Sequence, residues 1–310
     1  MKNSSTDPQF DEKNYEQLVK QILSKMPSLS TVARDLAYLL NEDANIGIAH
    51  IEELLIRDQT LAVRVLRVAN GPFFREGNDE RISSLGEAIL RIGIEQIKQI
   101  VLSFSVFKLF RSEKDEEFDV KGLWVHSHGV ASISRRLAEF LGFGKEWGSI
   151  AYTSGMIHDI GKVARFRLDK FEHTESLAHD SRLALLDSIN FKEAEILNQS
   201  VLHDYLGYVL CKSCDFIGFT QDVVRWHHEP EPRSRNEMSS EESHYLVDIV
   251  IVANWLTHQQ RFGFSGHKIV TKPSDFLFER LGLDQAKLES LQQTVPAILE
   301  STKSFNDIVL

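Results

Sequence analysis

Four stretches of the chain place imidazoles inside apolar helical patterns: His126 in "LWVHSHGVASISRRLAEFL", His158 in "GMIHDIGKVARF", His203 in "SVLHDYLGYVL", and His227 with His228 in "VVRWHHEP". A buried imidazole without a partner costs about 1–3 kcal/mol, so several of them on different helices point to one common partner. His158 is followed by Asp159. An adjacent His-Asp pair on an apolar helix is either a metal-binding pair or a polar pair held by hydrogen bonds. Imidazole nitrogen and carboxylate oxygen suit first-row divalent metals, and helices can bring ligands far apart in sequence into one bundle core. A metal in such a set lowers the pKa of bound water, and a second metal clamps a phosphoryl oxygen. For a lone histidine the core reading is the stronger; for the whole set the metal reading overtakes it. His126 and His128 lie about 200° apart around a helix, so they cannot both face one site. His126 shares its face with Leu123 and Val130, and His128 is expected to be exposed. Lys162, four residues after His158, returns to the same face and offers a charge to a phosphate.

The elements that must position these residues read as helices. Residues 1–14 are polar and are expected to form a disordered tail. From Tyr15 onward apolar positions recur at helical spacing: Leu18, Ile22 and Leu23, then Val32, Leu36, Leu39 and Leu40, then Ile51, Leu54 and Leu55. Ser28 and Ser30 are candidate N-caps, Asn70-Gly71-Pro72 is a stop signal, and Ser84-x-x-Glu87 is a capping box. "IEQIKQIVLSFSVFKLF" reads as a central core helix. The charged stretch "RSEKDEEFDVKG" (111–122) predicts a surface connection, taken at 113–122, between an N-terminal helical part, 15–112, and a histidine-bearing part, 123–310. A second polar loop, 229–243, is expected to hang outside the core, and the C-terminal segment closes the fold with about two helices.

Composition narrows the function classes. A formal net charge of -10 and no basic run argue against nucleic acid. The longest apolar stretch, around "DIVIVANWL", is too short for a bilayer, and the N-terminus carries no apolar signal core. Two cysteines fit a reducing compartment, so a cytoplasmic location is expected. Cys211-x-x-Cys214 lacks two ligands for zinc and reads as one core-facing pair, and the four tryptophans read as packing.

The order His126, His158-Asp159 with Lys162, His203 and His227-His228 resembles the HD superfamily of metal-dependent phosphohydrolases, in the arrangement of its HD-GYP branch. In the N-terminal half, "MPSLSTVARDLAYLL", "IEELLIRDQTLAVRVLRVAN" and "ISSLGEAILRIGIEQIKQIVLSFSVF" resemble the HDOD family, the HD-related output domain, and the resemblance covers residues 20 to 260 or so. It implies an all-α fold, with an N-terminal helical bundle packed on an HD-like helical bundle. It also implies a bacterial signalling module that acts through a protein partner, binds a divalent metal (iron, manganese or zinc), and takes a phosphorylated or nucleotide ligand. Carried over by position, His126 and His158 are ligands of a first site and Asp159 bridges two sites. His203, His227 and His228 complete the second, and Lys162 contacts substrate phosphate. The superfamily's last ligand is an aspartate, where this chain has Asn254. A neutral amide brings one oxygen and no charge, so one metal is expected rather than two. The GYP segment is absent, the chain continuing "KVARFRLDKFEHTESLAHD". Two other readings remain open at this point. One is an active phosphohydrolase or phosphodiesterase with Asp159 and Lys162 as catalytic residues; the other is a scaffold whose histidines bond to one another. No receiver, kinase or DNA-binding segment is evident, so input is expected from another chain.

Overall fold

A computed structural model describes residues 12–25, 48–57, 59–71, 74, 81–94, 96, 97, 100, 101, 118–214 and 216–309. Every regular element among them is helical. Four helices come first: α1 (Glu12–Lys25), α2 (Ile48–Ile56), α3 (Gln59–Ala69) and α4 (Leu85–Ile92). They are followed by α5 (Val120–Phe140), α6 (Gly144–Ile157), α7 (Ile160–Glu172), α8 (Ser176–Leu186), α9 (Phe191–Leu197), α10 (His203–Ser213) and α11 (Gly218–Trp226). A 3-10 turn, Pro232–Ser234, precedes α12 (Glu242–Gln259), α13 (Asp275–Arg280) and α14 (Gln285–Val309).

The Ser84 half of the capping box and the stop at Asn70 are present in the structure. Ser84 accepts the Glu87 N–H at 3.2 Å to open α4, which ends on Gly93 at φ 95°. Asn70 stops α3 and bonds in both directions to the backbone of Ile82, at 2.7 and 2.9 Å, tying the two ends of the following loop together. Ser28, Ser30 and the apolar positions from Val32 to Leu40 lie outside the described residues, as do the tail up to residue 11 and residues 111–117 of the connection. Of the expected core helix over 94–110, Ile97, Ile100 and Val101 are described and buried.

α5 organises the molecule. One side of it, through Leu123, Trp124 and Ala131, joins a core shared with α1 to α4, α6, α7 and α10. Another side, through Val130, Ile133 and Leu137, joins a core built by α12, α13 and α14. Close approach to α6 depends on Gly155, where an added Cβ would stand 2.9 Å from the Ala131 Cα. Being covered on opposite sides, α5 buries both of its histidines. His128 is therefore not exposed as its spacing from His126 suggested; it is 3% accessible, edge-on to the Tyr152 ring at 6.0 Å. The first helix crosses to the histidine-bearing part: α1 packs on α7 and α10, and the Tyr15 hydroxyl oxygen accepts the Leu202 N–H at 3.1 Å.

The loop over 229–243 also departs from expectation. It is pinned to the core by Arg235, which is buried, pairs with Asp248 of α12 at 2.6 Å, and donates to the carbonyls of Glu229, Pro230 and His244. Asp248 is fully buried and draws in Arg280 as well, at 2.7 Å. A buried carboxylate needs cations around it, and a polar composition does not reveal which arginine of a loop will serve.

Candidate metal centre

The cluster is built where helix ends meet. Asp159 is the residue before the first turn of α7, a position that often caps the helix with its side chain, yet this carboxylate makes no capping bond. It is turned into the interior instead. Oδ2 accepts from Lys162 Nζ at 2.8 Å and lies 3.4 Å from His158 Nε2. Oδ1 lies 3.3 Å from His203 Nε2 and 3.5 Å from His227 Nε2. Close contact between α7 and α10 makes this possible. A Cβ on Gly161 would collide with the carbonyl of His203, and one on Gly207 would stand 3.0 Å from the Gly161 nitrogen. Only glycine lets the two backbones touch there.

The helix ends also set the tautomers. His158 follows the last residue of α6 and His227 the last of α11. Each ring leans back on its own helix, His158 Nδ1 on the Gly155 carbonyl at 2.8 Å and His227 Nδ1 on the Val224 carbonyl at 3.0 Å. A carbonyl only accepts, so both Nδ1 atoms carry hydrogen and both Nε2 atoms face inward with bare lone pairs. His203 Nδ1 meets Glu195 Oε2 at 2.7 Å, and its Nε2 lies 3.0 Å from His228 Nε2.

Four of the inward atoms are without partners. His126 Nε2, His158 Nε2, His227 Nε2 and Asp159 Oδ1 are buried and make no hydrogen bond. Asp159, His203, His227 and His228 form one set whose ligand atoms all lie within 4.8 Å of one another; His126, His158 and Asp159 form a second. Convergent lone pairs that find no donor are what a bound cation satisfies, so these residues fit a divalent metal. Protonation favours the same use. Burial pushes the Asp159 carboxyl up, but Lys162 and His158 outweigh it and hold the group well below the carboxylate range. Burial takes His227 down to about 4 and, together with neighbouring imidazoles, drives His126 and His228 well below their ordinary value, leaving neutral rings. His203 moves the other way: burial pulls it down, and the Glu195 carboxylate more than offsets this.

All six histidine and aspartate positions singled out in the sequence thus come together. Lys162 is beside them but fully buried, its ammonium held by Asp159 and, at 3.0 Å, by the Ser265 carbonyl. Asn254, on α12, borders the set that holds His227 and His228. It lines a cleft of about 370 Å³ that it shares with His227, His228, His267, Asn190 and Lys272, and its buried Oδ1 has no partner. Two histidines escaped the sequence reading. His258 lies one turn beyond Asn254 on α12, its ring 4.6 Å from that of His126, and burial takes it down to about 3. His267 lies 4.6 Å from His258, with the Ser265 hydroxyl 3.2 Å from a nitrogen of each. The i, i+4 relation of Asn254 and His258 was a readable signal for the first. His267 lies in a loop without periodicity and gave none.

The family model of the HDOD domain matches residues 26–230. An uncharacterised protein of Treponema pallidum (strain Nichols) is 22% identical over 189 residues, covering 60% of this chain and 34% of that one, so the chain spans about a third of this curated relative. Among solved structures, an HDOD domain protein of unknown function from Geobacter sulfurreducens superposes with a TM-score of 0.67 at 25% identity, covering 94% of this chain and 98% of that one. A Shewanella amazonensis SB2B protein named as a candidate metal-dependent phosphohydrolase superposes with 0.59 at 17%, covering 94% and 99%. A Marinobacter aquaeolei VT8 protein named as a candidate signal transduction protein does so with 0.66 at 13%, covering 99% and 68%. The last two show a common fold alone. The family match takes in about two thirds of the chain and, within it, His126, His158, Asp159, His203, His227 and His228; this chain belongs to the HDOD domain family.

Proposed function

We propose that this HDOD protein is a signalling module that binds one divalent metal ion through Asp159, His203, His227 and His228 and acts through a protein partner. The observation that carries the reading is Asp159 Oδ1, buried and without a hydrogen bond, facing the Nε2 atoms of His203 and His227. Three imidazoles and one carboxylate suit iron, manganese or zinc. Lys162 supports one ion over two. Its ammonium already neutralises Oδ2, the oxygen on the His158 side, and would repel a second cation there. When bound, the ion supplies Lewis-acid polarisation of a phosphoryl oxygen. Among the described residues, none that lines the cleft beside His227 and His228 is acidic, in a chain of net charge -10, which supports a phosphorylated or nucleotide ligand.

Regulation is favoured over turnover by the same lysine, whose two hydrogen bonds and complete burial commit it to holding Asp159. Phosphohydrolase activity is the second reading, and the cleft that reaches His227 and His228 is what favours it. The division of the chain at 113–122 and a cytoplasmic location belong to the same proposal. Among the described residues no helix is long and apolar enough to cross a membrane. Elemental analysis of protein purified without chelators is expected to find about one metal per chain, lost in Asp159→Ala. Absence of metal, with melting unchanged by EDTA, overturns the assignment. Hydrolysis of bis-(p-nitrophenyl) phosphate is expected to be the same in wild type and Asp159→Ala; a wild-type rate that the substitution abolishes establishes the second reading.

A further inference from the structure

A layer of buried charge lies at the outer edge of the His203 ring. His158 and His227 each follow a helix and lean on its carbonyls, but His203 opens α10 and has no preceding turn to lean on. Its support comes from another element. Glu195 of α9, fully buried, accepts the His203 ring Nδ1–H at Oε2 (2.7 Å) and the backbone N–H of the same residue at Oε1 (3.1 Å). That backbone donor is one of the groups a helix start leaves unsatisfied, and Leu202, the residue before the helix, offers no side-chain bond. One carboxylate therefore caps α10 and grips the ring of its first residue.

Glu195 is itself held. Arg165, six residues beyond Asp159 on α7, donates to Glu195 Oε1 and to Asp180 Oδ2, each at 2.6 Å. Asp180 in turn accepts from Asn198 at 2.5 Å and from Ser200 at 3.1 Å. Two carboxylates around one guanidinium leave a net negative charge inside the protein, against the edge of His203 that faces away from Asp159. A carboxylate at Nδ1 fixes a ligating imidazole in the tautomer with a bare Nε2 and orients the ring, and such partners are worth about 10- to 100-fold in metal affinity.

We propose that Glu195 is a positioning residue of the centre: it fixes the tautomer and direction of His203 and, through Arg165, the spacing between His203 and Asp159. The inference rests on the metal-binding reading above. In the full chain, Glu195→Gln replaces the acceptor at Nδ1 with an amide that can donate, which moves the ring proton to Nε2. Zinc affinity, measured by competition with a chelating dye, is expected to fall about 10- to 100-fold. In the metal-free protein, nitrogen-15 chemical shifts of His203, read at a pH where the ring is neutral, are expected to change from the Nδ1–H tautomer to the Nε2–H tautomer. Wild-type affinity in the variant overturns the proposal, and so does reduced affinity with an unchanged tautomer, which leaves Glu195 an electrostatic role only. A wild-type protein that takes up no zinc sinks the metal reading, while the tautomer comparison still decides the part played by Glu195. Should Glu195→Gln not fold, Glu195→Asp keeps the charge opposite Arg165 and withdraws the carboxylate by one methylene. It is expected to lose affinity and tautomer preference in part, and wild-type behaviour in both overturns the inference.

Discussion

Asp159 divides its two oxygens between unequal neighbours, and the asymmetry predicts which ligands matter. Oδ2 has the Lys162 ammonium, while Oδ1 makes no hydrogen bond and faces the Nε2 atoms of His203 and His227. With one ion on the Oδ1 side, His203→Ala is expected to lower zinc affinity by well over tenfold, and His126→Ala to leave it within about threefold, both read by competition titration. Equal losses in the two variants would place the ion at the shared centre of both sets. The residues of the cluster were legible in the sequence because each is a polar side chain inside an apolar helical pattern, which demands a partner. Glu195 was not legible. Its role depends on α9 lying across the start of α10, and in "FKEAEILNQS" nothing separates it from a solvent-facing glutamate. His128 failed for a related reason: helical period tells which residues share a face, but not how many faces a helix buries.

At the scale of elements, contact between α7 and α10 does most to assemble the centre. Gly161→Ala adds a Cβ into the His203 carbonyl, which is backbone and cannot swing aside. A loss of about 1–3 kcal/mol in urea unfolding is expected, with weakened zinc binding in the fraction that stays folded. The same helix start carries a pH-sensitive charge. Asp204 is fully buried; burial pushes its carboxyl up from 3.8, but Lys192 at 2.9 Å and Arg225 at 3.3 Å hold it down at about 2. A carboxyl lower in the folded than in the unfolded chain stabilises the fold fully above about pH 4, and that contribution drains away as pH falls toward 2. Lys192→Ala is therefore expected to move the acid-unfolding midpoint to higher pH, as read by circular dichroism. Helix identity, the Ser84 cap and the Asn70 stop were legible from period and punctuation. The pinning of the 229–243 loop was not, since Arg235 looks like any loop arginine until Asp248 is placed beneath it.

For the whole molecule, metal binding and stability are linked. An ion that binds the folded chain and not the unfolded one adds about 2.7 kcal/mol at a free concentration one hundred times its dissociation constant. Differential scanning fluorimetry is expected to show a rise of several degrees in Tm with zinc, reversed by EDTA and absent in Asp159→Ala. The rise should involve both cores, because α5 belongs to each and α1 is joined to α7 and α10. An all-helical architecture followed from the run of helical periods without a strand pattern. How the cores share α5 did not, since no period distinguishes a helix with one covered side from a helix with two.

Four helix termini converge on Asp159: the ends of α6 and α11 through His158 and His227, and the starts of α7 and α10 through Asp159 itself and His203. Such a junction behaves as a pivot. α7 has 13 residues and so runs about 20 Å from that point. Drawing its ligand terminus around an ion so that the axis tilts by about 3° carries the far end through about 1 Å, by the geometry of a rod of that length. Occupancy of the centre would then be felt as a displacement at the remote tips of the spokes, where another protein could read it without ever touching the ion.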